Sequence, residues 1–180
     1  MAAATTRTTT NDSVVHNRGT KVSKAIIAME IGTDDLITTG NVIPLCELPA
    51  EAIVTSIKML NDDLDSAGPA LEVDIGIWKT LKSIDLDDVL ANEAGTEELD
   101  GDIYVDGMTA LQAAVTTMAE YLGSGTNAVD VDDRFSTVRV LAGVSIGEDP
   151  FKYFLGMKVK TNATTPAAGG VYAEVEWVQG

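Results

Sequence analysis

At 180 residues the chain has the length of one ordinary domain, or of a domain with an arm, and can bury a real core without staples. Its hydrophobic share (45%) and charged share (22%) are those of a soluble globular protein. One cysteine excludes a disulfide framework and any cysteine-based zinc or iron–sulfur site, and one histidine excludes a His-rich metal centre and argues against a catalytic triad. A net charge of −16 argues against direct binding of nucleic acid, which needs clustered Lys and Arg, and against an anionic membrane surface.

The charge is unevenly spread. Residues 1–29 hold four bases, Arg7, Arg18, Lys21 and Lys24, against the single acid Asp12, whereas the remainder holds eight bases against 27 acids. Residues 1–24 therefore read as a basic, Thr-rich arm and 25–180 as an acidic body. Ala2 to Thr10 is nearly all Ala and Thr, has no periodicity, and is expected either to fray or to order only against a partner's acidic surface. The first ten residues lack the apolar core of a secretory signal, and no segment reaches the roughly 20 apolar residues of a membrane span. The chain is thus expected to be made in the cytoplasm, which leaves the glycosylation-like patterns at Asn11 and Asn162 with little meaning.

From Lys24 onward the pattern is that of strands. Ala25 to Ile31 is short and β-branched, stopped by Gly32. Val42 to Leu48 contains Pro44, which cannot donate to a ladder and so marks an edge strand or a bulge. After the break at Pro49–Glu51, Ala52 to Leu60 reads as a strand beside it, joined by a short turn. Asn61 to Pro69 is turn chemistry throughout. Leu71, Val73, Ile75 and Ile77 then alternate with Glu72, Asp74, Gly76 and Trp78. The same alternation returns at Tyr153–Lys160 and Val171–Val178, with Thr161–Gly170 between them as a long hairpin loop. Such alternation belongs to antiparallel sheets with one wet face.

The middle, about 79–134, differs. Asp85–Leu90 and Glu97–Asp102 are acidic and loop-like, and Met108, Leu111, Val115, Met118 and Leu122 recur at helical spacing between an N-cap at Asp106 and a stop at Gly123. Val138–Val144 leans toward strand. The chain has no internal repeat at a fixed period. It is read as all-β: an antiparallel, jelly-roll-like β-sandwich with one helix-bearing insertion and a flexible N-terminal arm.

No constellation points to catalysis. Nearly all the Asp and Glu pairs fall in turns or on wet strand faces, where no burial would raise a pKa. Asp62–Asp65, Leu99–Asp102 and Asp130–Asp133 offer hard oxygen ligands of the kind calcium takes, but none has EF-hand spacing. Trp78 is the one aromatic expected on a wet face. Cys46, among Pro44, Leu45 and Leu48, reads as a small buried hydrophobe. His16 has no partner in any motif. Gly123–Thr126 follows the expected helix and lacks the P-loop lysine, so it is a loop. No catalytic, cofactor or metal residue is assigned.

Three stretches together resemble small structural proteins encoded beside tailed-phage capsid genes. Gly40–Ala50 is similar to their "G-x-V-I-x-L-x-x-L-P" opening, and the acidic turn Asp62–Asp65 is followed by the alternating strand Leu71–Trp78. Leu155–Thr161, then Ala163–Thr165 and Gly169–Val178, resembles their closing hairpin; beyond these three, Asp102–Gly107 also resembles a short central motif. The resemblance implies a virion protein, a capsid decoration or cement protein on the outer head. It would be a β-sandwich, often trimeric, seated on the major capsid protein where capsomers meet, with no catalytic residues and no cofactor. The insertion at 79–134 is longer and more acidic than the resemblance leads one to expect, which suggests a protruding tip or a trimer contact. On this reading Arg7, Arg18, Lys21 and Lys24 would dock the arm on the shell. The competing reading is a β-sandwich adhesin or glycan-binding head-fibre module with a calcium option. An enzyme is a third reading, and it would need a concave site with perturbed carboxylates.

Overall fold

β-Branched runs and period-2 apolar patterns build ten strands, described here from a computed structural model covering residues 6–15, 21–68, 70–83, 96–125, 136–141, 143 and 151–179. They are β1 (Thr6–Val15), β2 (Lys21–Ile31), β3 (Val42–Leu48), β4 (Ala52–Asn61), β5 (Glu72–Leu81), β6 (Glu97–Met108), β7 (Val115–Glu120), β8 (Ser124–Gly125), β9 (Phe151–Thr161) and β10 (Gly169–Gln179). One sheet runs β1-β2-β10-β4-β7 and the other β3-β9-β5-β6-β8. Apart from β1 and the two-residue β8, each sheet holds four antiparallel strands, and consecutive strands from β2 to β5 switch sheets. That is the jelly-roll arrangement the sequence leads one to expect.

The core lies between the sheets. Ile27, Met29 and Ile31 of β2 and Val171, Ala173 and Val175 of β10 face Val73, Ile75 and Ile77 of β5 and Leu155, Met157 and Val159 of β9 in one buried cluster. Along β10 the alternation is complete, with every second residue half-buried on the outer face. On β5 and β9 the outer face is buried too. Trp78 and Phe154 stand opposite each other and stack with ring centroids 6.2 Å apart. Trp78 is therefore not on a wet face; it is 1% exposed. Its ring needs Gly156, where an added Cβ would lie 2.9 Å from Trp78 Cε3.

Pro44 behaves as expected: β3 is an edge strand paired with β9, and its register shifts between Pro44 and Cys46. Cys46 is buried, also as expected. Several other expectations need correction. β3 and β4 are not neighbours, because the turn at Pro49–Glu51 carries the chain from one sheet to the other. The Thr161–Gly170 segment is likewise an arch between sheets.

The helix expected at Met108–Leu122 does not form. Met108 ends β6, a single 3-10 turn occupies Ala110–Gln112, and Val115–Glu120 is strand. β7 carries two extra residues against β4, between the pairs Asn61↔Val115 and Met59↔Ala119, and this bulge shifts the apolar spacing toward three and four. Glu97–Asp102, expected as loop, lies in β6. Val138–Leu141 is a helical turn, α1, and not a strand.

Thr6–Val15 is also more ordered than its composition suggests. It pairs antiparallel with β2 from Thr6↔Glu30 to Val15↔Lys21. Thr and Val suit an edge strand even where they cannot build a core. The arm boundary at residue 24 thus falls inside β2.

Candidate functional site

Three regions concentrate polar chemistry. The first is the basic arm. Arg7 lies on β1 opposite Met29, and Lys21 opens β2. Arg18 and His16 lie outside the described residues. Lys24 is not a free docking cation: its Nζ stands 2.5 Å from Glu174 Oε2 on β10, and this hydrogen bond holds its pKa above the ordinary lysine value. Of the four bases, only Lys24 has a described side chain, and it is engaged within the first sheet.

The second region is one end of the sandwich, where the arches at 32–41, 62–71, 109–114 and 162–168 meet. Burial alone would raise the pKa of Asp65, but its carboxylate is held below the usual range by main-chain N–H donors from Ala70, Thr165, Leu71 and Thr164. Ala70 and Leu71 donate to Oδ2 at 2.7 and 3.0 Å, and Thr165 donates to Oδ1 at 2.8 Å. Asp63 Oδ1 accepts the Asp65 N–H, and Asp62 Oδ2 accepts the Gly170 N–H. These acids cap backbone where the sequence offered calcium ligands. Among the described residues no group of three or more His, Cys, Asp or Glu is arranged to hold a metal ion. Asp130–Asp133 lies outside the described residues. From the same end, Asn61 Nδ2 donates to the carbonyls of Asp62, Ala110 and Ala113, pinning the turn before β7.

The third region lies on the outer face of the second sheet. Asp74 of β5 and Asp106 of β6 are 6% and 1% exposed. Lys160 of β9 forms an ion pair with Asp106 and places its Nζ 3.7 Å from Asp74 Oδ1. Burial pushes the Asp74 carboxyl above its ordinary pKa despite the Gly107 N–H donating to Oδ1 at 2.8 Å and the nearby lysine. Gly107 takes φ +68°, a left-handed conformation that lets its N–H turn toward β5. The sequence showed these three residues as members of alternating or acidic stretches; only the strand order brings them together.

A shallow groove of about 440 Å³ crosses the outer face of the first sheet, lined by Ala28, Glu30, Leu60, Asp62, Thr116 and Tyr172 among others. Gly123 is no phosphate cradle. Its N–H donates to the Tyr104 carbonyl at 2.7 Å, and the following Ser124–Gly125 pairs with β6. No helix among the described residues is long and apolar enough to cross a membrane.

Strand order and arches together define a jelly-roll β-sandwich, a fold this chain shares with chains found in phage capsids. One is in the capsid asymmetric unit of cyanophage Pam1, with 22% identity, a TM-score of 0.56, and 92% of this chain and 89% of that one covered. Another is in the capsid of Ralstonia phage GP4, with 20% identity, a TM-score of 0.54, and 87% and 84% covered. No protein-family profile and no curated protein matches the sequence.

Proposed function

We propose that the chain is a non-enzymatic virion structural protein, a decoration or cement protein on the outer face of a phage head. The observation that carries this reading is a fold shared over 92% of the chain with a component of a phage capsid. The charge division supports it. A protein of net −16 whose bases gather toward one end of the sequence suits docking by that end, while the acidic body keeps particles apart by repulsion.

On this reading the partner is the major capsid protein. Arg7, Arg18 and Lys21 supply the docking charge, since Lys24 is engaged by Glu174. The protein forms a closed oligomer, a trimer, which shelters the sheet edges at β1 and β3, and symmetry multiplies a modest affinity per copy.

The test is co-sedimentation of the purified chain with empty heads of its phage. The full chain pellets with the heads and protects them against heat, and a chain lacking residues 1–20 stays in the supernatant. Equal pelleting of both would remove the docking role of the arm, and failure of both to pellet would remove the decoration role. Sedimentation as a monomer at working concentration would contradict the trimer.

A further inference from the structure

Strand order in the second sheet is β9-β5-β6, so a side chain of β9 must pass over β5 to reach β6. Lys160 does this. It leaves β9, crosses above Asp74 of β5 and meets Asp106 of β6. The Lys160 side chain is 40% exposed, whereas those of Asp74 and Asp106 are 8% and 2% exposed. Two buried carboxyls therefore converge on one amine that enters from the solvent side. Asp74 is fixed beside the Asp106–Gly107 peptide by the hydrogen bond from the Gly107 N–H.

We propose that Lys160 and Asp106 join in an amide bond formed by the protein itself, with Asp74 moving the proton, so that a covalent strap spans β9, β5 and β6. The starting state is the ion pair, in which hydrogen bonding to Asp106 raises the lysine pKa. Only the Asp106 side of the pair lies out of water, 2% exposed, and desolvation of that carboxylate narrows the gap to the neutral pair. After proton transfer the free amine Nζ attacks Cγ of Asp106. The Nζ–Cγ bond forms, Asp74 takes a proton from nitrogen and returns it to one Asp106 oxygen, and that Cγ–O bond breaks as water departs. One ammonium and one carboxylate become one amide and one water; Asp74 is regenerated and nothing is oxidised or reduced. Holding nucleophile and carbonyl carbon in contact supplies the proximity that the free groups lack in solution. The bond closes a loop between positions 54 residues apart and so restricts the unfolded chain. This inference does not depend on where the protein is mounted.

Mass spectrometry of the purified, folded full-length chain tests it. The expected mass is one water below that of the sequence, and a protease digest contains a branched peptide joining the segments around Lys160 and Asp106. Asp106–Gly107 can also lose water by closing to a succinimide, so the branched peptide and the Lys160→Arg variant decide between the two. Lys160→Arg is expected at full mass, and so is Asp74→Asn, which keeps an oxygen for the Gly107 N–H and retains the native circular dichroism spectrum. A wild-type chain at full mass, or water loss that persists in Lys160→Arg, overturns the proposal. A cross-linked Asp74→Asn chain overturns the role of Asp74.

Discussion

At one end of the sandwich four arches exchange main-chain hydrogen bonds around a buried carboxylate. Leu64 donates to Leu111, Ser66 to Thr165, Ala163 to Leu36 and Ala167 to Leu64. At the opposite end, where β3 turns into β4, the helical turn α1 rests on the Arg139 N–H donating to the Ala50 carbonyl, the buried Val138 and the Arg139–Glu51 ion pair. At the first end Asp65 is buried and spent on backbone donors, with the exposed Asp62 and Asp63 also accepting main-chain N–H groups, while the pair at the second end is a side-chain ion pair at the surface. The difference teaches that 28 acidic residues need not mean a uniformly solvated surface. A few of them organise the fold, and their removal should cost far more than their charge suggests.

Substitution can break this contrast. Asp65→Ala strands the buried Leu71 N–H and takes the charged acceptor from the part-buried Ala70 and Thr165 N–H groups, each bond being worth about 1–3 kcal/mol. Chemical denaturation should therefore show a loss of about 3 kcal/mol or more, and a loss below 1 kcal/mol would remove Asp65 from its place at the centre of that end.

Acid sharpens the contrast. Because Asp65 has a lower pKa folded than unfolded, its stabilisation is present above its usual value of 3.8 and is lost as pH falls through the folded value. The wild-type chain should therefore lose stability more steeply below about pH 4 than Asp65→Asn, which keeps an acceptor and has no charge to lose. Parallel acid limbs for the two chains would contradict this. The smallest effect belongs to Arg139→Ala, whose partner is exposed: its melting temperature should stay within a degree or so of wild type. A large drop there would mean that α1 bears more of the fold than its contacts indicate.

The strands with clean alternation, β5, β9 and β10, are legible in the sequence because one face of each must enter the core, and Pro44 announces its edge and bulge by chemistry alone. What is not legible is which strand lies beside which. An arch that crosses between sheets and a hairpin that stays within one have the same turn residues, so Pro49–Glu51 and Thr161–Gly170 read as hairpins. A bulge also disguises period. The two extra residues in β7 and the 3-10 turn before it give Met108–Leu122 the spacing of a helix, although Val115, Thr116 and Thr117 form a β-branched run. Trp78 reads as exposed because alternation assigns it to the outer face, whereas in the sheet the opposing Phe154 stacks on it and Gly156 leaves room for its ring. The cluster of Asp74, Asp106 and Lys160 escapes for the same reason as the arches: its members are distant in sequence and meet through strand order.

The decoration role meets its most direct test in electron cryomicroscopy of phage heads reconstructed with and without the purified chain. The account predicts added density on the outside of the shell, at symmetry-related junctions between capsomers, into which the jelly-roll sandwich fits with residues 1–20 toward the shell. Identical reconstructions, or the sandwich located inside the head or away from it altogether, would contradict it.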